Sequence, residues 1–339
     1  MFLDFIVRES VIKYKNNDIN FNNFNYYTYS REAIYQICNE LEINYTSEVI
    51  LPDYVCSTVI DTIHEFTKNI LYYQINQNIK FDEKEINSLI TINTKMILFI
   101  DYFGVETIVS TDMINILKSK HIIILKDAAH SFLTLVKNQF RSSYRYDYLV
   151  SSIYKNISLH VGALSIGNFK ETNKFINYKL YNKRKIILYI KKIICFFGLS
   201  RLINKNIDKL TIVSDRYISY NFGKNIMDEY IKKLSIIDYE YIIKERYILS
   251  MEFYKYFQSK SLFTKDEILN NSLQAFPIKC SSLEERNIIL NIMKKNCIDA
   301  YTWATFHPDV INEKLWSTTL LFPINKQVLK VIKDNNINV

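Results

Sequence analysis

Four compact apolar runs, Val49-Ile50-Leu51, Met96-Ile97-Leu98-Phe99-Ile100, Ile122-Ile123-Ile124-Leu125 and Tyr148-Leu149-Val150, punctuate the first half of the chain. Continuous apolar runs of this length are what strands covered on both faces show. Between them, Thr58 to Thr67 and Thr111 to Lys118 carry apolar residues at helical spacing. Strand and helix in alternation predict a mainly parallel sheet with helices on both sides. Ligands of such sheets lie beyond the carboxyl ends of the strands, so the residues just after each run are the candidates for chemistry.

From about Phe175 the strand signal gives way to long Ile/Lys/Tyr-rich helical patterns, and a second unit is expected to begin near Ser235. Its elements are helices around Tyr239 to Phe257 and Ser282 to Lys294, with short strands near Gln274 to Ile278 and Thr318 to Phe322. The expected division is a large α/β domain over 1–234 and a smaller α+β domain over 235–339. The chain's 339 residues suit about two domains at roughly 150 residues each.

Hydrophobic residues make up 48% of the chain against only 5 Gly and 4 Pro, which excludes collagen-like, linker-rich and disordered classes. The net charge of +8 fits an anionic ligand, but Lys and Arg are spread along the chain without the stripe of a nucleic-acid binder. The 5 cysteines are odd in number and widely spaced, giving neither a disulfide framework nor a zinc motif. His64, His121 and His307 share no metal-like spacing, so no metal site is expected. Asp4 and Arg8 interrupt what would be a signal core, and a cytoplasmic protein is the expectation. The apolar window Ile186 to Ile203 is broken by Lys191, Lys192 and Arg201. A helix packing on a partner subunit is the preferred reading over a membrane-surface helix.

Two of the strand ends carry chemistry. Ile122 to Leu125 leads into Lys126-Asp127-Ala128-Ala129-His130-Ser131, a carboxylate followed by two small residues. That suits a flat, charged heterocycle, and equally an Asp that caps the next helix. Tyr148 to Val150 leads into Ser151-Ser152-Ile153-Tyr154-Lys155, with Gly162-Ala163 beyond. A lysine there is ordinarily solvated; desolvated, its amine can form a Schiff base with a carbonyl cofactor. Upstream, Tyr29-Ser30-Arg31 opens a helix whose free N–H groups can hold a phosphate, and Pro52-Asp53-Tyr54-Val55-Cys56 follows the first run with a flat side chain.

The order of these segments, from Thr28 through Leu164 and again over Leu320 to Asn325, resembles the DegT/DnrJ/StrS sugar-aminotransferase family. That family lies within the fold type I, aspartate-aminotransferase-like pyridoxal-phosphate enzymes. The resemblance implies that Lys155 joins the cofactor and then moves the substrate proton, while Asp127 holds the pyridine nitrogen protonated. It implies that His130 faces the cofactor's 3′ oxygen and that Ser30, Arg31 and Ser152 bind its phosphate. Cys56 stands where many members place a stacking Trp or Phe, with Tyr54 as the substitute ring. The helix start lacks the family's glycine, Gly-Gly has become Gly162-Ala163, and an Asn-Tyr-Arg segment survives only as Asn221-Phe222-Gly223.

The implied enzyme is a homodimeric pyridoxal 5'-phosphate aminotransferase that takes an amino group from glutamate to a nucleotide-linked keto sugar, for surface polysaccharide or glycoconjugate. Two alternatives stay open: a degenerate homologue that acts as a binding or partner subunit, or a different pyridoxal-phosphate reaction. Lys155 argues against the dehydratase branch, in which histidine replaces the lysine.

Overall fold

The computed structural model describes residues 19–157, 159–196, 224–303 and 316–337. Asn221-Phe222-Gly223, His307 and the 197–203 end of the apolar window lie outside the described residues.

One seven-stranded sheet contains β1 (Asn25–Tyr27), β2 (Glu48–Pro52), β3 (Ile70–Tyr73), β4 (Thr94–Ile100), β5 (Ile123–Asp127), β6 (Tyr148–Ser152) and β7 (Ala163–Gly167). Their order across the sheet is β1-β7-β6-β5-β4-β2-β3. The strands β2 to β6 are parallel, β7 runs antiparallel to β6, and β1 antiparallel to β7. The four apolar runs are all strands of this sheet, and Val49 to Leu51 and Met96 to Phe99 are fully buried, as parallel strands covered on both faces require.

The crossovers are α2 (Ser57–Ile63), α3 (Glu83–Leu89), α4 (Thr111–Ser119) and α5 (Phe132–Lys137), while α1 (Ser30–Glu40) precedes β2. Helix α4 starts where its chemistry says it should, because the Ser110 side chain accepts from Met113 N–H and Asp112 lies in the first turn. Beyond the sheet come α6 (Tyr178–Phe196), α7 (Met227–Ser235) and α8 (Tyr239–Phe257). The chain then forms α9 (Lys265–Asn270), β8 (Ala275–Lys279), α10 (Leu283–Lys295), β9 (Thr319–Pro323) and α11 (Lys326–Asp334), with β8 and β9 antiparallel.

This is a mixed α/β fold with a mostly parallel main sheet, the class expected. Helix α8 covers the Tyr239 to Phe257 pattern end to end, and α10, β8 and β9 fall within a residue or so of their patterns. Packing joins the two sheets: one buried cluster runs from Val49, Ile97 and Leu125 through Phe253 and Phe276 to Leu321. The parallel strands bring the residues after β5 and β6 side by side, since Asp127 pairs with Val150 in register.

Candidate active site

Asp127 ends β5 almost wholly buried, at 6% exposure. It does not cap the next helix, because α5 begins at Phe132 with Ser131 at the cap position. Its Oδ1 instead accepts from Ala129 N–H at 2.9 Å, a turn that fixes the carboxylate against its own backbone. Burial pushes this carboxyl above the usual range, against the pull of the nearby Lys155 charge, the Ala129 N–H and Lys126. The two residues that follow it, Ala128 and Ala129, are small.

Lys155 closes a short 3₁₀ turn, Ile153–Lys155, directly after β6, and is half-buried. Its Nζ lies 3.5 Å from Nε2 of His130. The imidazole is buried, with Phe103 N–H directed at Nδ1 from 3.4 Å. The ring thus turns Nε2 toward the amine and Nδ1 toward the main chain. Phe103 stacks on this ring at 5.6 Å between centroids, and Trp303 meets it edge-on at 5.0 Å. Carboxylate, imidazole and amine from two strand ends thus converge on one place.

Helix α1 approaches from the sheet edge. Ser30, its first residue, lies with Oγ 2.9 Å from Oγ of Ser152, joining the helix start to the end of β6. The hydroxyl pair and the N–H groups of the first turn form the kind of cradle that holds a phosphate. Arg31 places its guanidinium 4.5 Å from the Tyr29 ring centroid. Arg184 of α6 lies 5.8 Å from the same ring and 4.6 Å from that of Tyr154, the neighbour of Lys155. Two cations therefore flank the helix start.

Asp127, His130, Ser152 and Lys155 come together, and Ser30 and Arg31 adjoin them. Tyr54 does not join them as an open ring. It is fully buried, stacked on Trp316 at 3.9 Å and on Tyr102 at 5.3 Å, and its hydroxyl donates to the Trp303 carbonyl at 2.6 Å. Its ring is occupied by protein aromatics from β9's approach and from the loop after β4. Cys56 is half-buried at the start of α2, with Sγ 3.3 Å from Thr58 Oγ1.

The sequence reading missed Phe103, Trp303 and Arg184. Arg184 had a faint signal, being the single arginine among Lys179, Lys183 and Lys185 of a helix with no acidic residue. Phe103 and Trp303 had none, because stacking partners in a chain with 14% aromatics are set by tertiary contact.

Just behind the site, Lys126 and Asp101 form an ion pair at 2.7 Å, each 1% exposed. Lys126 also donates to the Thr107 carbonyl, and Thr107 N–H donates back to Asp101 at 2.7 Å. Burial pushes Asp101 up to about 6 despite the pull of Lys126. Burial alone would lower Lys126, but Asp101 beside it prevails and holds it above its ordinary value.

Residues 32–153 match the DegT/DnrJ/EryC1/StrS aminotransferase family. Over that segment, about a third of the chain, the sequence is similar to that family. Its enzymes are pyridoxal-phosphate-dependent aminotransferases, and the described fold is theirs. Spr1654 of Streptococcus pneumoniae, described as a sugar aminotransferase and solved in its pyridoxamine-phosphate (PMP) form, superposes with a TM-score of 0.64 at 16% identity, over 93% of this chain and 86% of that one. NtdA of Bacillus subtilis, solved with bound PMP, gives 0.62 at 18% identity over 93% and 73%. PseC of Helicobacter pylori, an aminotransferase involved in the biosynthesis of pseudoaminic acid, gives 0.61 at 13% identity over 92% and 86%. At these identities the likeness is one of fold. No curated protein sequence matches the chain. Among the described residues no helix is long and apolar enough to cross a membrane, and no group of three His, Cys, Asp or Glu could hold a metal ion.

Proposed function

We propose that this protein is a pyridoxal-phosphate-dependent sugar aminotransferase that moves an amino group from glutamate onto a nucleotide-linked keto sugar, in the making of surface polysaccharide or another glycoconjugate. The observation that carries the reading is the convergence of Lys155, His130 and Asp127 at the ends of β5 and β6, with Lys155 Nζ and His130 Nε2 3.5 Å apart.

The residues fit the cofactor by their chemistry. A buried carboxylate, small residues beside it, an amine, an imidazole and a hydroxyl pair at a helix start are the donor set that a phosphorylated pyridine aldehyde requires. When bound, pyridoxal phosphate supplies an aldehyde carbon and a ring that accepts electrons. Lys155 would provide the amine that holds the aldehyde and the group that moves the proton at the substrate's amino-bearing carbon. Asp127 keeps a proton on the pyridine nitrogen, and the low dielectric around it strengthens that attraction. His130 would hydrogen-bond the cofactor's 3′ oxygen, while Ser30, Arg31 and Ser152 would hold the phosphate.

The names of the S. pneumoniae and H. pylori proteins support a sugar as acceptor. A positive chain and the cation at Arg184 suit a diphosphate-bearing substrate in a cytoplasmic setting. Exposed Ile186, Tyr189 and Ile190 on α6 support packing against a second copy, hence a homodimer.

The test is the visible spectrum of protein loaded with pyridoxal phosphate, before and after borohydride, followed by peptide mapping. Wild type should absorb in the visible, lose the band on reduction and carry the label on Lys155. Lys155→Ala should lack the band and lose transfer by about a thousandfold or more. A label on another residue, or no conversion of the cofactor to its amine form by any amino donor, overturns the reading. The second result would leave a binding subunit in its place.

A further inference from the structure

We propose that Asn156 and Arg246 form a clamp that positions Lys155, tying the lysine turn at once to the Asp127–His130 segment and to the chain that leads into β8. The inference rests on the role proposed for Lys155 above, but the contacts behind it are independent of any cofactor.

Asn156 follows Lys155 and is wholly buried. Its side-chain amide donates to the Ser152 carbonyl at 3.1 Å and to the Ala129 carbonyl at 3.4 Å. One amide thus spans the ends of β6 and β5, the two segments whose relative placement sets the distance from amine to imidazole. Its own N–H closes the turn on the Ile153 carbonyl at 3.0 Å.

Arg246 reaches this turn from α8 and is 3% exposed. Nη2 donates to the Asn156 carbonyl at 2.7 Å, and Nη1 donates to the carbonyls of Leu273 and Gln274 at 2.9 and 3.2 Å. A guanidinium is a planar fork of fixed geometry, so holding one segment with each arm fixes the two relative to one another. Charge-assisted bonds to neutral carbonyls are stronger than ordinary ones, which suits a contact that must not slip.

The segment held by the other arm belongs to the same site. Gln274 N–H donates to the Phe103 carbonyl at 2.7 Å, and Ser272 N–H to Thr134 Oγ1 at 2.8 Å, whose hydroxyl donates to the Gly104 carbonyl at 2.6 Å. Gly104 has φ +103°, and a Cβ there would lie 2.4 Å from the Ser272 carbonyl oxygen, so the two segments touch backbone to backbone. Phe103 is the ring stacked on His130. Arg246 therefore joins the turn that carries the amine to the strap that seats the imidazole's stacking partner. Displacements of about 1 Å in such a constellation cost on the order of a hundredfold in rate.

The experiment compares Arg246→Lys, Asn156→Ala and the double variant with wild type. Arg246→Lys keeps the charge and loses the fork; Asn156→Ala loses the bridging amide. Thermal midpoint and circular dichroism establish that each variant is folded. In cofactor-free protein, acetic anhydride labelling with peptide mapping reads the reactivity of Lys155 against exposed Lys84 as internal reference. Each variant should change that ratio by about threefold or more, and in loaded enzyme should lower kcat by about ten- to a hundredfold with KM for the amino donor within about threefold. The double variant should lose no more than the worse single one, since both act on one clamp. If Arg246→Lys does not fold, Asn156→Ala alone carries the test. An unchanged labelling ratio in a folded variant overturns the clamp, as do kcat effects that multiply in the double variant. If borohydride does not fix the cofactor on Lys155 in wild type, the functional reading fails, and the labelling ratio still decides the clamp.

Discussion

Gly162 shows how much a single residue can carry here. It has φ +124°, in the region that residues with a Cβ avoid, and an added Cβ would lie 1.8 Å from the Tyr230 hydroxyl. Its N–H donates to the Thr28 carbonyl at 2.9 Å and its carbonyl accepts from Ile153 N–H at 2.9 Å, so it joins the approach to α1 to the lysine turn. Gly162→Ala is expected to cost about 2–4 kcal/mol from backbone strain and overpacking, read as a lowered denaturation midpoint in urea at unchanged slope. The buried pair of Asp101 and Lys126 gives a second expectation. Lys126→Met leaves a buried carboxylate without its cation and should cost about 3–5 kcal/mol near neutral pH. Asp101 already has a raised pKa, so it gains stability by taking up a proton as pH falls, and the deficit of the variant should shrink toward pH 5. Adding Asp101→Asn should recover most of the loss at neutral pH. Equal stability of the single and double variants would show that the charge is not what the lysine serves. Lys126 was visible in the sequence only as the neighbour of Asp127; its partner lies 25 positions away, after another strand.

Among the elements, α10 shows local chemistry setting a boundary. The Ser282 hydroxyl accepts from Glu285 N–H at 3.1 Å, and the Glu285 carboxylate accepts from Ser281 N–H at 2.6 Å and from Lys260 at 2.9 Å. Burial would raise this carboxyl, but the bonds from Lys260 and Ser281 outweigh it and hold Glu285 below its ordinary value. A lowered carboxylate stabilises the fold above its unfolded pKa of about 4.3 and loses that contribution as pH falls through the folded value. Glu285→Gln should therefore cost about 0.5–1 kcal/mol at neutral pH and flatten the acid limb of a stability–pH curve below about pH 4.5. A limb as steep as wild type would assign the acid loss elsewhere. The sequence pattern marked this helix within a residue at each end, as it did α8. Strands β1, β3 and β7 were not legible, for they are short and two of them lie at sheet edges. β1 has only Asn25 to Tyr27, β3 is mostly half-buried, and β7 reads Ala-Leu-Ser-Ile-Gly. Their pairing comes from the edges offered by β2 to β3, by β6 to β7 and by β7 to β1, which no local pattern records.

For the whole molecule, α8 is the member that binds the two sheets together. Tyr239 and Ile242 pack in the cluster below β6 and β7, whereas Leu249, Phe253 and Phe257 pack in the cluster shared with β8 and β9. Phe253 lies 5.4 Å from Phe276 and 6.2 Å from Phe322 between ring centroids. Phe253→Ala should cost about 3–5 kcal/mol and lower one common transition. Calorimetry should find the sheets melting together, with separate transitions in wild type as the contrary result. The sequence by itself determined the parallel sheet, the helix and strand pattern after residue 235, and the neighbourhood of Asp127 and Lys155. These follow from periodicity and from the rule that parallel strands present their carboxyl ends together. Only the tertiary structure decided that Tyr54 is enclosed by Tyr102 and Trp316, that Phe103 and Trp303 surround His130, and that Arg246 reaches Asn156 across 90 residues. Periodicity records which face of an element is apolar. Ring stacking and bonds to main-chain carbonyls depend instead on which distant elements the finished fold sets side by side.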